Sequence, residues 1–271
     1  MDAPILITGG TGTLGGRVVP RLLATGAELR ILSRTQRLPA DGIDYVVGDL
    51  AAGRGLDAAL AGVRTVVHLA GGAKGDEVLA DHLVRAAREA GVEHIVFVSV
   101  TAADRIPLTY LRAKHEAEQV LAESGVPHTV LRAAQFHDLV LKTARAMSRL
   151  PVIPRPGGLR LQPVDADEVA ARLVELALDR PAGRVADLVG PEVHPMGDLV
   201  RAYLRATGKH RPMLPLRIPG KAGRAYRAGE NLVLEGATFG KRTWAEFLAD
   251  SVSPAPGTAS GAPRPERRTA R

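Results

Sequence analysis

The stretch Pro4-Ile-Leu-Ile-Thr-Gly9-Gly-Thr-Gly12-Thr-Leu-Gly15-Gly16 constrains the fold more than any other part of the chain. A short apolar run, Ile5 to Ile7, suits a strand buried in a parallel sheet, and Leu14, Val18 and Leu22 then recur at helical spacing. The glycines stand at the turn between the two. Gly9 is free to take a positive φ, Gly12 lets the backbone approach a pyrophosphate, and Gly15 lets the helix lie close against the strand. Amides at the helix start then face an anion. A second apolar run, Glu28-Leu-Arg-Ile-Leu32, completes a βαβ unit, so Gly9, Thr11, Gly12, Thr13, Leu14 and Gly15 are expected to line a dinucleotide. Pro20 does not fit this pattern. Inside a predicted helix it removes an amide and implies a kink costing roughly 3 kcal/mol.

Strand and helix patterns continue to alternate, with further strands expected near Tyr45–Val47, Thr65–Leu69, Ile95–Val98 and Thr129–Leu131. This argues for an α/β fold, a doubly wound parallel sheet covered by helices on both sides. Val78, Leu79, Leu83, Ala86 and Ala87 read as one apolar helical face, and Lys114, Ala117, Val120 and Leu121 mark another helix that ends at Gly125. With 271 residues, 45% of them hydrophobic, the chain can bury one large core or one core with a smaller appendage. We therefore expect a single unit over residues 1–250, with a small C-terminal substrate region from about 151, where the rhythm loosens. In that region Asp165 and Glu168 have capping-box spacing, Met196 to Ala206 reads as a helix closed by Gly208, and Pro212 to Gly229 reads as loops and a short helix. Residues 251–271 are rich in Pro, Ser, Gly, Ala and Arg, a composition that predicts a disordered tail.

The net charge of +7 is concentrated between Asp198 and Gly229, where eight Lys and Arg face Asp198 alone. With aromatic residues at 3% there is little to stack on bases, so no specific nucleic-acid partner is expected. A solvated basic face, an anionic substrate or a protein partner of the C-terminal region are the readings that stand. The absence of cysteine excludes disulfides, thiolate catalysis and cysteine–metal sites, and no metal site is expected. No apolar run approaches a bilayer span, and the chain enters its first strand without a basic, cleavable leader, so the expectation is a cytoplasmic protein with no membrane partner.

The end of the second strand bears on cofactor choice. A site for NAD usually has an acidic residue there to bind the ribose hydroxyl, whereas this chain has Ser33 and Arg34. A guanidinium beside a hydroxyl suits the 2′-phosphate of NADP(H), which is expected to be preferred over NAD(H), with Arg37 in support; the alternative is an exposed loop arginine. At the third strand end, Asp49 suits the adenine amino group or a helix cap, with Leu50 beside it; at the fourth, Ala70 and Gly71 give a small-residue wall. Tyr110 and Lys114, four apart on one helix, share a face. An ammonium beside a phenol lowers its pKa and equips it to exchange protons with a carbonyl or alcohol, and the lysine also suits the nicotinamide ribose. Phe136, His137 and Gln162 follow late strands and are expected near the substrate, or else to serve as structural contacts.

Together, Gly9-x-x-Gly12-x-x-Gly15, Gly48-Asp49-Leu50, Tyr110-x-x-x-Lys114 and Ser124-Gly-Val-Pro-His-Thr-Val-Leu-Arg132-Ala-Ala-Gln135-Phe136 resemble the atypical short-chain dehydrogenase/reductases, in particular their NmrA-like NAD(P)H-binding branch. The resemblance implies a Rossmann domain with a C-terminal region over the substrate, Tyr110 as acid/base, Lys114 on the ribose, and a serine polarising the carbonyl. Ser99 takes that last role, with Thr101 an equal claimant. The function so implied is NAD(P)H-dependent hydride transfer to or from a small carbonyl, enone or quinone-like substrate. A non-catalytic NAD(P)-sensing regulator and a nucleotide-sugar epimerase or dehydratase are the alternatives.

Overall fold

Each of the first six strands forms where an apolar run ends in a turn: β1 (Ile5–Thr8), β2 (Leu29–Ser33), β3 (Ile43–Val47), β4 (Thr65–His68), β5 (His94–Val100) and β6 (His128–Ala133). The computed structural model describes residues 3–72 and 74–252. Its strands pair in parallel in the order β3-β2-β1-β4-β5-β6, and the two-residue strands Gly183–Arg184, Leu188–Val189 and Thr238–Phe239 extend the β6 edge. This is the Rossmann order, which places the crossover point between β1 and β4.

The helices are α1 (Gly15–Leu23), α2 (Leu56–Leu60), α3 (Asp76–Glu89), α4 (Thr109–Glu123), α5 (His137–Met147), α6 (Ala166–Leu178), α7 (Met196–Ala206), α8 (Gly220–Ala228) and α9 (Trp244–Val252). Because strand side chains alternate, each strand feeds two cores. Ile7, Val67, Val96 and Leu131 pack with α1 and α6 on one face, while Leu6, Val66, Phe97 and Val130 pack with α2, α3 and α4 on the other. A third cluster joins α5, α7 and α9 around Leu141, Leu199, Trp244 and Phe247.

Several details differ from the sequence reading. Helix α1 runs through Pro20, which faces solvent, and two arginines hold it down. Arg17 bonds Asp138 at 2.8 Å, and Arg21 bonds Asp167 at 2.7 Å, tying α1 to α5 and α6. Val78 is 45% exposed, so the buried face of α3 is instead Asp76, Ala80, Leu83, Val84 and Ala87. The expected capping box is half realised: Asp165 accepts from the Asp167 amide at 2.6 Å, but Glu168 turns away to the Lys241 amide, also at 2.6 Å. The C-terminal region does not begin cleanly at 151, since α5 already belongs to its core and α6 returns to the main sheet. Within the basic segment, Met213–Leu216 forms a strand parallel to Ile153–Pro156 rather than a loop. Of the expected tail, residues 251 and 252 end α9, and 253–271 lie outside the described residues. Among the described residues no helix is long and apolar enough to cross a membrane.

Candidate active site

The loop after β1 is shaped by the backbone's need to pass close to itself. Gly9 has φ +72°, and a Cβ there would meet the Ala70 nitrogen at 2.6 Å. A Cβ on Gly15 would meet the Gly10 carbonyl carbon at 2.5 Å, so only glycine lets α1 start against the loop. The Gly12 amide donates to Gly9 O at 3.0 Å and closes the turn, leaving Thr11, Gly12 and Thr13 exposed at the rim. Arg17 Nη1 holds the Thr13 carbonyl at 2.9 Å. Leu14 points inward and is buried. Such a side-chain-free cradle at a helix start fits a dinucleotide pyrophosphate.

At the ends of β2 and β3 lies a pocket of about 240 Å³ lined by Arg34, Val47, Gly48, Asp49, Arg54 and Gly55. Arg34 is exposed in it. The other three expected contacts have partners within the chain. Ser33 is buried, and its hydroxyl donates to Thr35 O at 2.8 Å. Leu50 is buried in the core shared with α2 and α3. Asp49 accepts from the Ala51 amide at 3.0 Å and lies 3.7 Å from Arg54, so its carboxylate shapes a turn at the pocket wall. Arg37 lies over the Tyr45 ring at 5.9 Å.

Tyr110 and Lys114 do share a face of α4, but the pair is not wired as the spacing suggested. Lys114 is buried; its Nζ is 3.0 Å from Asp76 Oδ2 and donates to Val98 O at 3.2 Å, with the Phe97 ring 4.9 Å away. Asp76 Oδ1 in turn accepts from the Gly72 amide at 2.8 Å. Tyr110 is 39% exposed, yet the protein crowding it and the negative charge of Asp76 push the phenol up to about 12. The expected lowering by Lys114 is therefore corrected: the ammonium is spent on Asp76, and the phenol stays protonated.

A line of polar groups crosses this same face under the strand ends. Thr8 Oγ1 lies 2.6 Å from His68 Nδ1, and the His68 ring stacks on Phe97 at 5.3 Å. Complete burial, with the Lys114 charge behind it, pushes His68 down to about 3, so the ring is neutral. The alternation of β5 puts Ser99 on this face two residues after Phe97, where its Oγ is buried without a hydrogen-bond partner. Thr101 is also buried, its amide bonded to Ala133 O at 3.1 Å. Just beyond β5, Ala102 has φ +60°, a left-handed conformation that bends the chain away from the sheet.

Sequence reasoning missed Asp76, His68 and Thr8. Two of them are the last residues of their strands, which is the position from which open sheets touch ligands. Asp76 carries no spacing signal, because its partner lies on the next helix.

The three residues expected near the substrate are taken up by packing. His137 is fully buried, its ring 5.0 Å from Phe247 and 5.7 Å from Trp244, and burial lowers its pKa. Gln162 donates to Gly190 O at 3.2 Å and accepts from the Val233 amide at 3.4 Å, so it ties loops together. Phe136 is partly buried against the α1/α6 core and bridges to Val164. A larger opening of about 680 Å³ lies toward the β6 edge beside Asp104, Arg105, Arg132 and Arg184, and neither Tyr110 nor Lys114 lines it. Among the described residues no cluster of His, Asp or Glu has the arrangement of a metal site.

Residues 9–180 match the NAD(P)H-binding family. The chain is 30% identical over 213 residues to an NAD(P)H azoreductase of Xenophilus azovorans, covering 76% of this chain and 74% of that one. It is 29% identical over 216 residues to quinone oxidoreductase 2 of Escherichia coli, covering 76% and 75%. The solved structure of that quinone oxidoreductase complexed with NADPH superposes with a TM-score of 0.80 at 23% identity, over 92% of this chain and 100% of the other. The glycine cradle, the strand order and these likenesses agree, and the chain belongs to the NAD(P)H-binding family, with the Rossmann fold of NAD(P)-dependent oxidoreductases.

Proposed function

We propose that the protein is a cytoplasmic NADPH-dependent reductase of small conjugated acceptors such as quinones, enones or azo compounds. The observation that carries this reading is the placement of Lys114 and Asp76 beside the exposed Gly71, at the strand end next to the glycine cradle, with the protonated Tyr110 one helical turn from Lys114 and within the field of Asp76. The azoreductase and quinone oxidoreductase relatives support the acceptor class. When bound, the reduced nicotinamide supplies a hydride. The chain supplies the rest. Gly9, Thr11, Gly12, Thr13 and Gly15 hold the pyrophosphate, Ala70 and Gly71 form a wall without side-chain bulk, and Lys114 supplies positive charge for the ribose hydroxyls. Tyr110 Oη holds a proton for the oxygen or nitrogen that gains charge on reduction, the direction suited to a phenol kept neutral.

Following nicotinamide absorbance while NADPH is mixed with a panel of quinones, enones and azo dyes tests this. Tyr110→Phe is expected to cut turnover roughly 10²- to 10⁴-fold with NADPH affinity nearly intact. An unchanged rate would remove Tyr110 from the mechanism. NADPH preference rests on Arg34 in a pocket whose one carboxylate, Asp49, is engaged with its own turn and Arg54. Arg34→Ala is expected to reduce the preference over NADH by about one to two orders of magnitude, as for loss of a charge-assisted contact, read by calorimetry. Equal affinity of the native protein for both cofactors would refute it. A second reading, a cofactor-responsive regulator with an acidic protein partner, draws on the exposed Arg217, Lys221 and Arg224. It gains ground if NADPH binds and no acceptor is turned over.

A further inference from the structure

Asp76 and Lys114 form a buried ion pair. Behind Lys114 are the Phe97 ring and the Val98 carbonyl of β5, and behind Asp76 is its own helix α3. In front is Gly71, which is exposed although the pair itself is buried. A Cβ added to Gly71 would stand 3.1 Å from Asp76 Oδ2 and 3.1 Å from Lys114 Nζ. At the β4 strand end, beside the glycine cradle, a backbone without a side chain thus lies over the buried ion pair. Asp76 also grips that backbone, through the Gly72 amide.

We infer that Asp76 is the positioning residue of the cofactor site: it stores Lys114 as a charged group under the Gly71–Gly72 backbone and fixes that backbone, so that the ribose hydroxyls of the nicotinamide meet a preformed cation. A lysine side chain is a flexible point charge, and when buried without a carboxylate it gives up its proton readily. Among the described residues the ion-pair partner of Lys114 is Asp76. From β4 comes His68, which burial keeps neutral; from α4 come Tyr110 and Lys114 themselves; from β5 come the Val98 carbonyl and the Phe97 ring, both on Lys114. Glu77 follows on α3, and its Oε2 is buried without a partner. Asp76 therefore acts in two ways, holding Lys114 charged and Tyr110 protonated. This rests on the reductase reading only through cofactor binding.

Calorimetric titration with NADPH from about pH 6 to about pH 9 tests it, on the native chain, Asp76→Asn and Lys114→Met. Asp76→Asn keeps an oxygen for the Gly72 amide and removes the charge. Its affinity is expected to fall more steeply with pH than that of the native protein, to roughly tenfold weaker at the alkaline end, while Lys114→Met is weak without the extra slope. Native affinity and native slope in folded Asp76→Asn would overturn the inference. If Asp76→Asn does not fold, the double variant Asp76→Asn/Lys114→Met takes its place against Lys114→Met alone. Equal affinities support the inference, because Asp76 acts through the lysine, and a further loss in the double variant overturns it. Absence of turnover together with the expected binding behaviour would sink the reductase reading and leave this one standing.

Discussion

Helix α4 carries two buried charges one turn apart, Lys114 and Glu118, and the protein holds them in different ways. Glu118 receives a two-pronged bond from Arg132 of β6, Nε to Oε1 at 2.8 Å and Nη2 to Oε2 at 2.6 Å. The third arm of that guanidinium reaches Asp104 at 2.7 Å. Burial works against the Asp104 carboxylate, but the charge of Arg132, the hydrogen bonds it accepts and the charge of Arg184 together outweigh it and hold its pKa below the usual range. Arg132 is thus bonded on all three nitrogens and fixed in a plane, a device for locking helix to sheet. Lys114 has one carboxylate, one carbonyl and the face of a ring, and its open side is a glycine. The same helix face carries a saturated cation contact that locks the fold and an unsaturated one that faces the cofactor loops. A charge intended for a ligand has to be left with something to offer.

The largest expected effect tests that division. Arg132→Met leaves the Glu118 carboxylate buried and uncompensated, and should cost about 3–5 kcal/mol in urea unfolding, while NADPH affinity per folded molecule changes little. Lys114→Met should also lose stability, by a smaller amount because Asp76 keeps its Gly72 hydrogen bond, and should weaken NADPH binding as well. If Arg132→Met weakens NADPH as much as Lys114→Met does, the two contacts are not divided into a structural and a functional one.

The same contrast explains what could be read from the sequence. The glycine loop, the positions of the strands along the chain and the Tyr110/Lys114 face were legible because each rests on local spacing: period two, period 3.6, and glycines where backbone crosses backbone. The strand ends at Thr8, Ser33, Val47 and His68 came within a residue of expectation. The partners of those residues were not legible. Asp76 lies 38 positions from Lys114, Asp104 lies 28 from Arg132, and nothing periodic connects them. His137 read as a substrate contact because it follows a strand, but the aromatic pocket that buries it is built by Trp244 and Phe247, more than a hundred residues later. The direction of the Tyr110 shift failed for the same reason: four-residue spacing pointed to Lys114, and only the fold revealed that the phenol is crowded by protein and that Asp76 pairs with the lysine.

The smaller effect sharpens the comparison through His68, the neighbour of the unsaturated cation. Its folded pKa near 3 lies below the ordinary 6.5, so between these values the unfolded chain takes up a proton that the native ring refuses. Stability from this group is therefore complete above pH 6.5 and is lost as pH falls from there toward 3. At pH 5 the loss amounts to about 2 kcal/mol, and buried His94 and His137, also lowered, add to it with the same sign. Urea unfolding near pH 5 and near pH 8 measures it, and His68→Gln should reduce the difference by about that 2 kcal/mol. Burial is the larger cause and the Lys114 charge the second, so Lys114→Met should shrink the loss by less than half, whereas Arg132→Met should leave it unchanged. An equal response to both substitutions would mean that His68 registers general loosening of α4 rather than the charge of the one lysine left open to the site.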